Sequence, residues 1–327
     1  MKAAACIGSV GLAGVVLLAV TAGQSLKAEK VLSLRYKPLW CVASSSKPIL
    51  AIGNEDEVEV YSTHTFRRSD VIKGFDSSIC SARFSTDGSF LYFVDHLTGI
   101  YRYDLKKRVL KRFAQILSDP DFKSPVALYD GKAAALWVIV DDELAKVDVA
   151  TGHVQRAKID ASERGGVFWN LVPISADELA LVDSATEGRD HSRVLWFNKK
   201  LMMTDAIVEI EGEATDLCAL TNGKVLVVND SGTAIVVSRN GDTRVVARKL
   251  DLSPDFAHWA VDAKKGRAYI GAFGVSAFDL ASGRLLWSTR TSEPYIQPVL
   301  NSDGDFLAYG ENSRAVVKFP VKAASRE

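Results

Sequence analysis

The stretch "SARFSTDGSFLYFVDHLTGIYRYDL", Ser81 to Leu105, decides the fold. "SARFS" alternates, and Asp87-Gly88 is a tight-turn pair, because glycine accepts the positive φ a two-residue hairpin demands. "SFLYFV" is apolar on both of its faces, "DHLTG" turns again, and "IYRYDL" is a third strand. A strand apolar on both faces belongs in a sheet covered on both sides, whereas a half-wet sheet alternates apolar and polar residues.

The same order returns along the chain. Clear copies are Leu217 to Ser238, Ala257 to Leu280 and Pro298 to Phe319, and three weaker ones lie around "PILAIG", "KAAALWVIV" and "ELALV". First turns fall near Lys47, Asp87, Asp130, Asp177, Asn222, Lys265 and Asp303, spaced 38 to 47 residues apart. That period, with several short strands per unit and no long helical periodicity, predicts an all-β, single β-propeller of seven four-stranded blades. Six or eight blades stay open, because the third and fourth units are degenerate. Most units carry a fourth segment, such as "LKKRVLKRF" or "ASGRLLWST", but the last has none. "VLSLRY" (Val31 to Tyr36) has no unit of its own, so it is expected to complete the last blade and close the ring. Closure removes the open strand edges that an incomplete ring would expose.

With these residues in view, a resemblance can be stated. "LYFVDHLTGIYRYDLKKRVLKRF" and "AYIGAFGVSAFDLASGRLLWSTR", with its D-x-x-S-G turn, resemble blades of the YVTN/WD-repeat-like β-propeller superfamily. "FDLASGRLLW" is also similar to one blade of quinoprotein-type propellers. The likeness covers residues of about 30 to 321 and implies a fold rather than a function, since this architecture hosts enzymes, electron-transfer subunits and pure scaffolds. No regular Trp-Asp pair ends the third strands, and only the sixth blade keeps the quinoprotein-like Trp287, so a bound quinone is not implied.

The N-terminus gives an address. Lys2, the apolar run Ile7 to Val20 and the small residues Ala22 and Gly23 describe a secretory signal peptide cut near Ala22. The run is short for a membrane span, which takes roughly 20 apolar residues; an uncleaved anchor is the alternative. The expected organisation is a signal peptide over 1–22, a linker over 23–29, the propeller over 30–321 and a tail over 322–327. The protein is then periplasmic or secreted, monomeric, and not integral to the membrane once cut.

Charge carries the functional expectation. Lysine plus arginine equals aspartate plus glutamate at 40 each, which points to no nucleic-acid partner. The second-to-third loops and the blade-to-blade connections, which share one face of a four-stranded meander, hold 22 acidic and 5 basic residues. The third turns with their outer strands hold 16 basic and 1 acidic. A face of one sign steers ligands of the other, so a basic protein or peptide is the expected partner. Asp141, Asp142, Asp183, Glu187, Asp190, His191 and His96 are its candidate contacts. The blander reading is that Asp favours turns for its local hydrogen bonds. Asp95, Asp141, Asp183, Asp230 and Glu311 follow second strands and converge on the channel mouth, where carboxylates would suit Ca²⁺ or another hard cation.

No C-x-x-C, H-E-x-x-H, G-x-S-x-G or phosphate-binding glycine loop occurs. An exported, non-catalytic binding or scaffold module is therefore the leading expectation. A metal-dependent hydrolase or lactonase, or an accessory subunit of a periplasmic redox enzyme, are the alternatives. Cys41, Cys80 and Cys218 stand at a common register before their first turns, which suits small buried inner-strand residues; a Cys41–Cys80 bridge is the other possibility. The six tryptophans read as blade packing.

Overall fold

A computed structural model describes residues 29–319 apart from 55, 118–125, 132–133, 141, 160–166, 186–189, 251–257, 272–273, 291–294, 305 and 311–313. The chain forms 28 strands, numbered β1 to β28 in order, arranged as seven four-stranded antiparallel sheets. Blade 1 spans Trp40–Ile72, blade 2 Ile79–Gln115, blade 3 Val126–Lys158, blade 4 Val167–Glu211, blade 5 Ala214–Ala247 and blade 6 His258–Arg290. Blade 7 joins Tyr295–Phe319 to β1 (Glu29–Ser33). The seven-bladed propeller expected from the repeats is the fold observed.

The first strand of every blade is the innermost. These are β2 (Trp40–Ala43), β6 (Ile79–Phe84), β10 (Val126–Asp130), β14 (Val167–Pro173), β18 (Ala214–Ala219), β22 (His258–Asp262) and β26 (Tyr295–Leu300). Each lies against the first strand of the next blade, and β26 lies against β2, so the ring closes on itself. The closure is the one anticipated, begun two residues earlier than the sequence reading placed it. β1 pairs antiparallel with β28 (Ala315–Phe319), Glu29 opposite Lys318 and Ser33 opposite Ala315. Leu34 N–H continues the seam to Arg314 O at 2.6 Å.

The second strands explain why the blades stack. In "ALWVIV" (Ala135–Val140) and "VLVVN" (Val225–Asn229) every side chain is buried, because both faces meet a neighbouring blade. The outer strand Met203–Glu211 instead alternates exposed and covered positions along most of its length. Between blades 1 and 2, Trp40, Val60, Phe93 and Tyr101 form one continuous apolar layer. Gly53 makes room for it: a Cβ there would sit 2.1 Å from the Trp40 ring. Trp137 and Trp196 are 0% and 1% exposed and fill the equivalent layers further round, as blade packing requires. Each fully buried large side chain of this kind contributes about 1.5–3 kcal/mol.

Ionic staples supplement the apolar layers. Lys199, in the third turn of blade 4, is 8% exposed and donates to Asp130 Oδ2 of blade 3 at 2.7 Å and to Ser175 O at 2.9 Å. The sequence count had placed Lys199 among the exposed basic turns; tertiary packing turns it inward. Cys41, Cys80 and Cys218 are thiols on the inner strands β2, β6 and β18, and no disulfide joins Cys41 to Cys80. Burial pushes the Cys41 and Cys80 thiols up to about 12, which keeps them protonated and unreactive at neutral pH. Among the described residues no helix is long and apolar enough to cross a membrane.

Candidate binding face and central channel

Antiparallel order within each blade puts the second-to-third loops and the blade connections on one face of the ring. The candidate acids on that face divide into two groups. Asp95, the last residue of its strand Phe90–Asp95, is 0% exposed. Its Oδ1 accepts Gly99 N–H at 2.7 Å and its Oδ2 accepts Tyr101 O–H at 3.0 Å, while the Tyr101 oxygen takes Asp76 N–H at 3.0 Å. Asp183 is also 0% exposed and receives two donors from Arg193, its cross-strand partner, with Nε at 2.8 Å. Both carboxylates close their own loops, and neither is presented to the channel mouth. His96 is half-buried, and its N–H donates to Ser78 O at 2.9 Å.

The second group faces solvent. Asp142, Asp190, His191 and Asp230 are exposed. Asp141, Glu187 and Glu311 lie outside the described residues. The face is less uniformly acidic than the loop count implies, because outer strands run from one face to the other and carry bases with them. Lys73 meets Glu57 at 2.6 Å, Arg112 meets Asp76 at 2.7 Å, Arg156 meets Glu143 at 3.4 Å and Lys158 reaches Asp142 at 4.0 Å. Unneutralised charge gathers instead where blade 4 hands over to blade 5. Asp190, Glu211, Glu213 and Asp230 are all exposed there and make no ion pair among the described residues.

Backbone bonds hold that cluster together. Gly212 N–H donates to Asp190 O at 3.1 Å, and Asp230 N–H donates to Glu213 O at 2.7 Å. Glu213 N–H returns to Asp230 Oδ1 at 3.3 Å, and the Asn229 amide donates to Glu211 O at 2.9 Å. His191 stands opposite Glu211 in the strand register. Hydrogen bonds thus hold the backbone of this short acidic rim, and the Asp230 carboxylate on it, in place. Among the described residues no group of three or more His, Cys, Asp or Glu side chains is placed to hold a metal ion.

The channel itself holds a polar seam that the sequence reading missed. Ser81 on β6 accepts Ala127 N–H of β10 at 3.3 Å. Asn170 on β14 donates to Asp216 Oδ1 on β18 at 2.5 Å, and Asp216 Oδ2 accepts Trp259 N–H of β22 at 3.1 Å. These side chains satisfy inner-edge amides that have no further strand to pair with. Ser81, Asn170 and Asp216 each follow a bulge in their strand, and the bulge aims them at the next blade. Nothing in the local sequence distinguishes Asp216 from a turn aspartate.

No family model matches the chain, and no curated protein matches it either. Solved structures do. The β-propeller domain of Cps50 (Swd1) from Myceliophteria thermophila superposes with a TM-score of 0.68 at 14% identity, over 90% of this chain and 100% of that one. Hydrazine synthase from Kuenenia stuttgartiensis superposes with a TM-score of 0.70, also at 14% identity, over 94% of this chain and 99% of that one. At such identity these likenesses speak for the β-propeller fold and for nothing finer.

Proposed function

We propose that this protein is an exported, non-catalytic propeller that binds a basic protein or peptide on the rim between blades 4 and 5. The observation that carries this reading is the set Asp190, Glu211, Glu213 and Asp230, exposed, unpaired among the described residues and latched by backbone bonds. A rigid ring with function placed on its loops is what the propeller offers. A fixed acidic rim attracts Lys- and Arg-rich segments and raises their association rate in a salt-dependent way. Export rests on the N-terminal run Ile7 to Val20.

The test replaces all four acids by their amides, which preserves the backbone latch because an amide oxygen still accepts from Glu213 N–H. Binding of a fluorescent Lys/Arg-rich decapeptide is followed by anisotropy at low and physiological salt, beside capture of partners from an envelope extract. The wild type should bind and capture while the amide variant does neither. Equal binding by both proteins overturns the reading.

A further inference from the structure

We infer, resting on the reading of the acidic rim as a surface for basic peptides, that the peptide is held there as an added strand. It pairs, in extended form, with the free edge of β17 (Met203–Glu211), the outer strand of blade 4, which runs into the rim at Glu211. Seven outer strands end the seven blades, and β17 differs from the other six in two ways. At nine residues it is the longest of the 28 strands, and its sequence "MTDAIVEIE" alone among the outer strands has neither lysine nor arginine. Cationic side chains commonly blunt exposed strand edges, because a bare edge pairs with other chains. β17 has the length and lacks the guard.

The ladder leaves main-chain groups open along that edge. β17 pairs with β16 (His191–Asn198), and just beyond their last pair Gly212 N–H donates to Asp190 O at 3.1 Å. On the other side of β16, Lys199 N–H donates to Asp177 O at 2.8 Å, which fixes the same alternation. Antiparallel strands bond at every second residue, so Ala206, Val208 and Ile210 direct their N–H and C=O groups to β16. Those of Ile207, Glu209 and Glu211 point outward. The Asn229 amide donates to Glu211 O at 2.9 Å. Ile207 and Glu209 keep both groups and Glu211 its N–H, and none of these makes a hydrogen bond among the described residues.

The side chains choose the occupant. Along the same edge Met203 and Ile207 are 51% and 42% exposed, and Glu209 and Glu211 are exposed with no ion pair among the described residues. Asp205, between Met203 and Ile207, is taken by Arg239 of blade 5. An added strand sets its own side chains beside these at every second position. It therefore carries lysine or arginine against Glu209 and Glu211 and an apolar residue against Ile207. A second copy of this chain fits poorly, because β17 offers acids at Asp205, Glu209 and Glu211 and no base to meet them.

The probe is a fluorescent decapeptide of alternating lysine and valine, titrated by anisotropy against the full-length protein at low salt. Ile207→Pro removes an outward N–H and leaves the β16 ladder and every charge in place, since proline is tolerated on the solvent side of an edge strand. It should weaken the peptide by at least about tenfold. Ile207→Ala, which keeps the N–H, should lose distinctly less. Amide hydrogen exchange of the wild type, read by NMR, is the second measurement and does not depend on the proline variant folding. The peptide should protect the N–H groups of Ile207, Glu209 and Glu211. Equal affinity in Ile207→Pro, or unchanged exchange at all three amides, overturns the added strand. Loss of binding in the four-amide variant would then still uphold the acidic rim, whereas no binding to the wild type overturns both.

Discussion

Two loops at the same place in different blades, Asp95–Gly99 of blade 2 and Asn229–Thr233 of blade 5, have the same backbone and opposite electrostatics. In each, the last residue of the second strand accepts the N–H four positions on: Gly99 to Asp95 at 2.7 Å and Thr233 to Asn229 at 2.9 Å. In each, the next residue donates its N–H to the preceding blade connection: His96 to Ser78 O, and Asp230 to Glu213 O. Asp95 therefore corresponds to Asn229, and His96 to Asp230. The buried position is a cap for which charge is incidental; the residue after it is the one that meets solvent. Acids at these two neighbouring positions look alike in a sequence and do different work.

The sharpest way to break this comparison is to remove the ring both loops depend on. Deleting residues 29–34 takes away β1 and the Leu34 seam, leaving β28 unpaired on one side. The cost is expected to rival the whole stability of a domain, about 5–15 kcal/mol, and calorimetry should show no cooperative melt. A melt unchanged from wild type would show that the ring holds without its closing strand. Next in size is the cap itself. Asp95→Ala leaves the Gly99 N–H and the Tyr101 hydroxyl without their acceptor and should cost about 3 kcal/mol in urea unfolding. Asp230→Ala, in the exposed position, should cost under about 1 kcal/mol. Equal costs would dissolve the distinction between cap and tip.

A third difference lies where the two loops turn back. Thr98 and Gly232 both adopt positive φ, 58° and 69°. Thr98 is compensated by its hydroxyl, which accepts Leu117 N–H at 3.1 Å. At Gly232 a Cβ would stand 2.2 Å from Leu250 O. Gly232→Ala should therefore destabilise by about 2 kcal/mol, measured in the same urea series. The smallest effect concerns the first turns of these blades, Asp87-Gly88 and Asn222-Gly223. The Ser85 hydroxyl and Ser89 N–H hold the Asp87 carboxyl down at about 2. Its folded value lies below its unfolded one, so its contribution is complete above about pH 4 and fades as pH falls towards 2. Asn222 does not ionise at all. Asp87→Asn should slightly flatten acid destabilisation between pH 4 and 2, read as the melting temperature across that range; an identical slope would deny the carboxylate its role.

Legibility in the sequence follows the same division. The blades were readable because each repeats a local rule: a turn pair, a doubly apolar second strand, a further turn. Closure was readable because one strand lacked a blade and one blade lacked a strand. Positions set by tertiary packing were not readable. Asp95 and Asp230 were grouped as acids of one register, although a one-residue offset buries the first and exposes the second. Lys199 was counted as a surface charge, yet Asp130 of the neighbouring blade draws it inward. Asn170 and Asp216 stand 46 positions apart and meet only because the ring sets the inner strands of blades 4 and 5 side by side.

The seam between β1 and β28 also imposes an order in time. The Arg314 guanidinium reaches Arg35 O at 3.2 Å across a separation of 279 residues, so β1 finds its partner only after the six intervening blades have been made. Contacts of such range close slowly, on the scale of milliseconds to seconds for β-rich folds. Until then the edge of the seventh blade stands open as a template for another chain. The ring that is stable once sealed is thus most vulnerable in the interval before its two ends meet, and any factor that attends its folding has that interval in which to act.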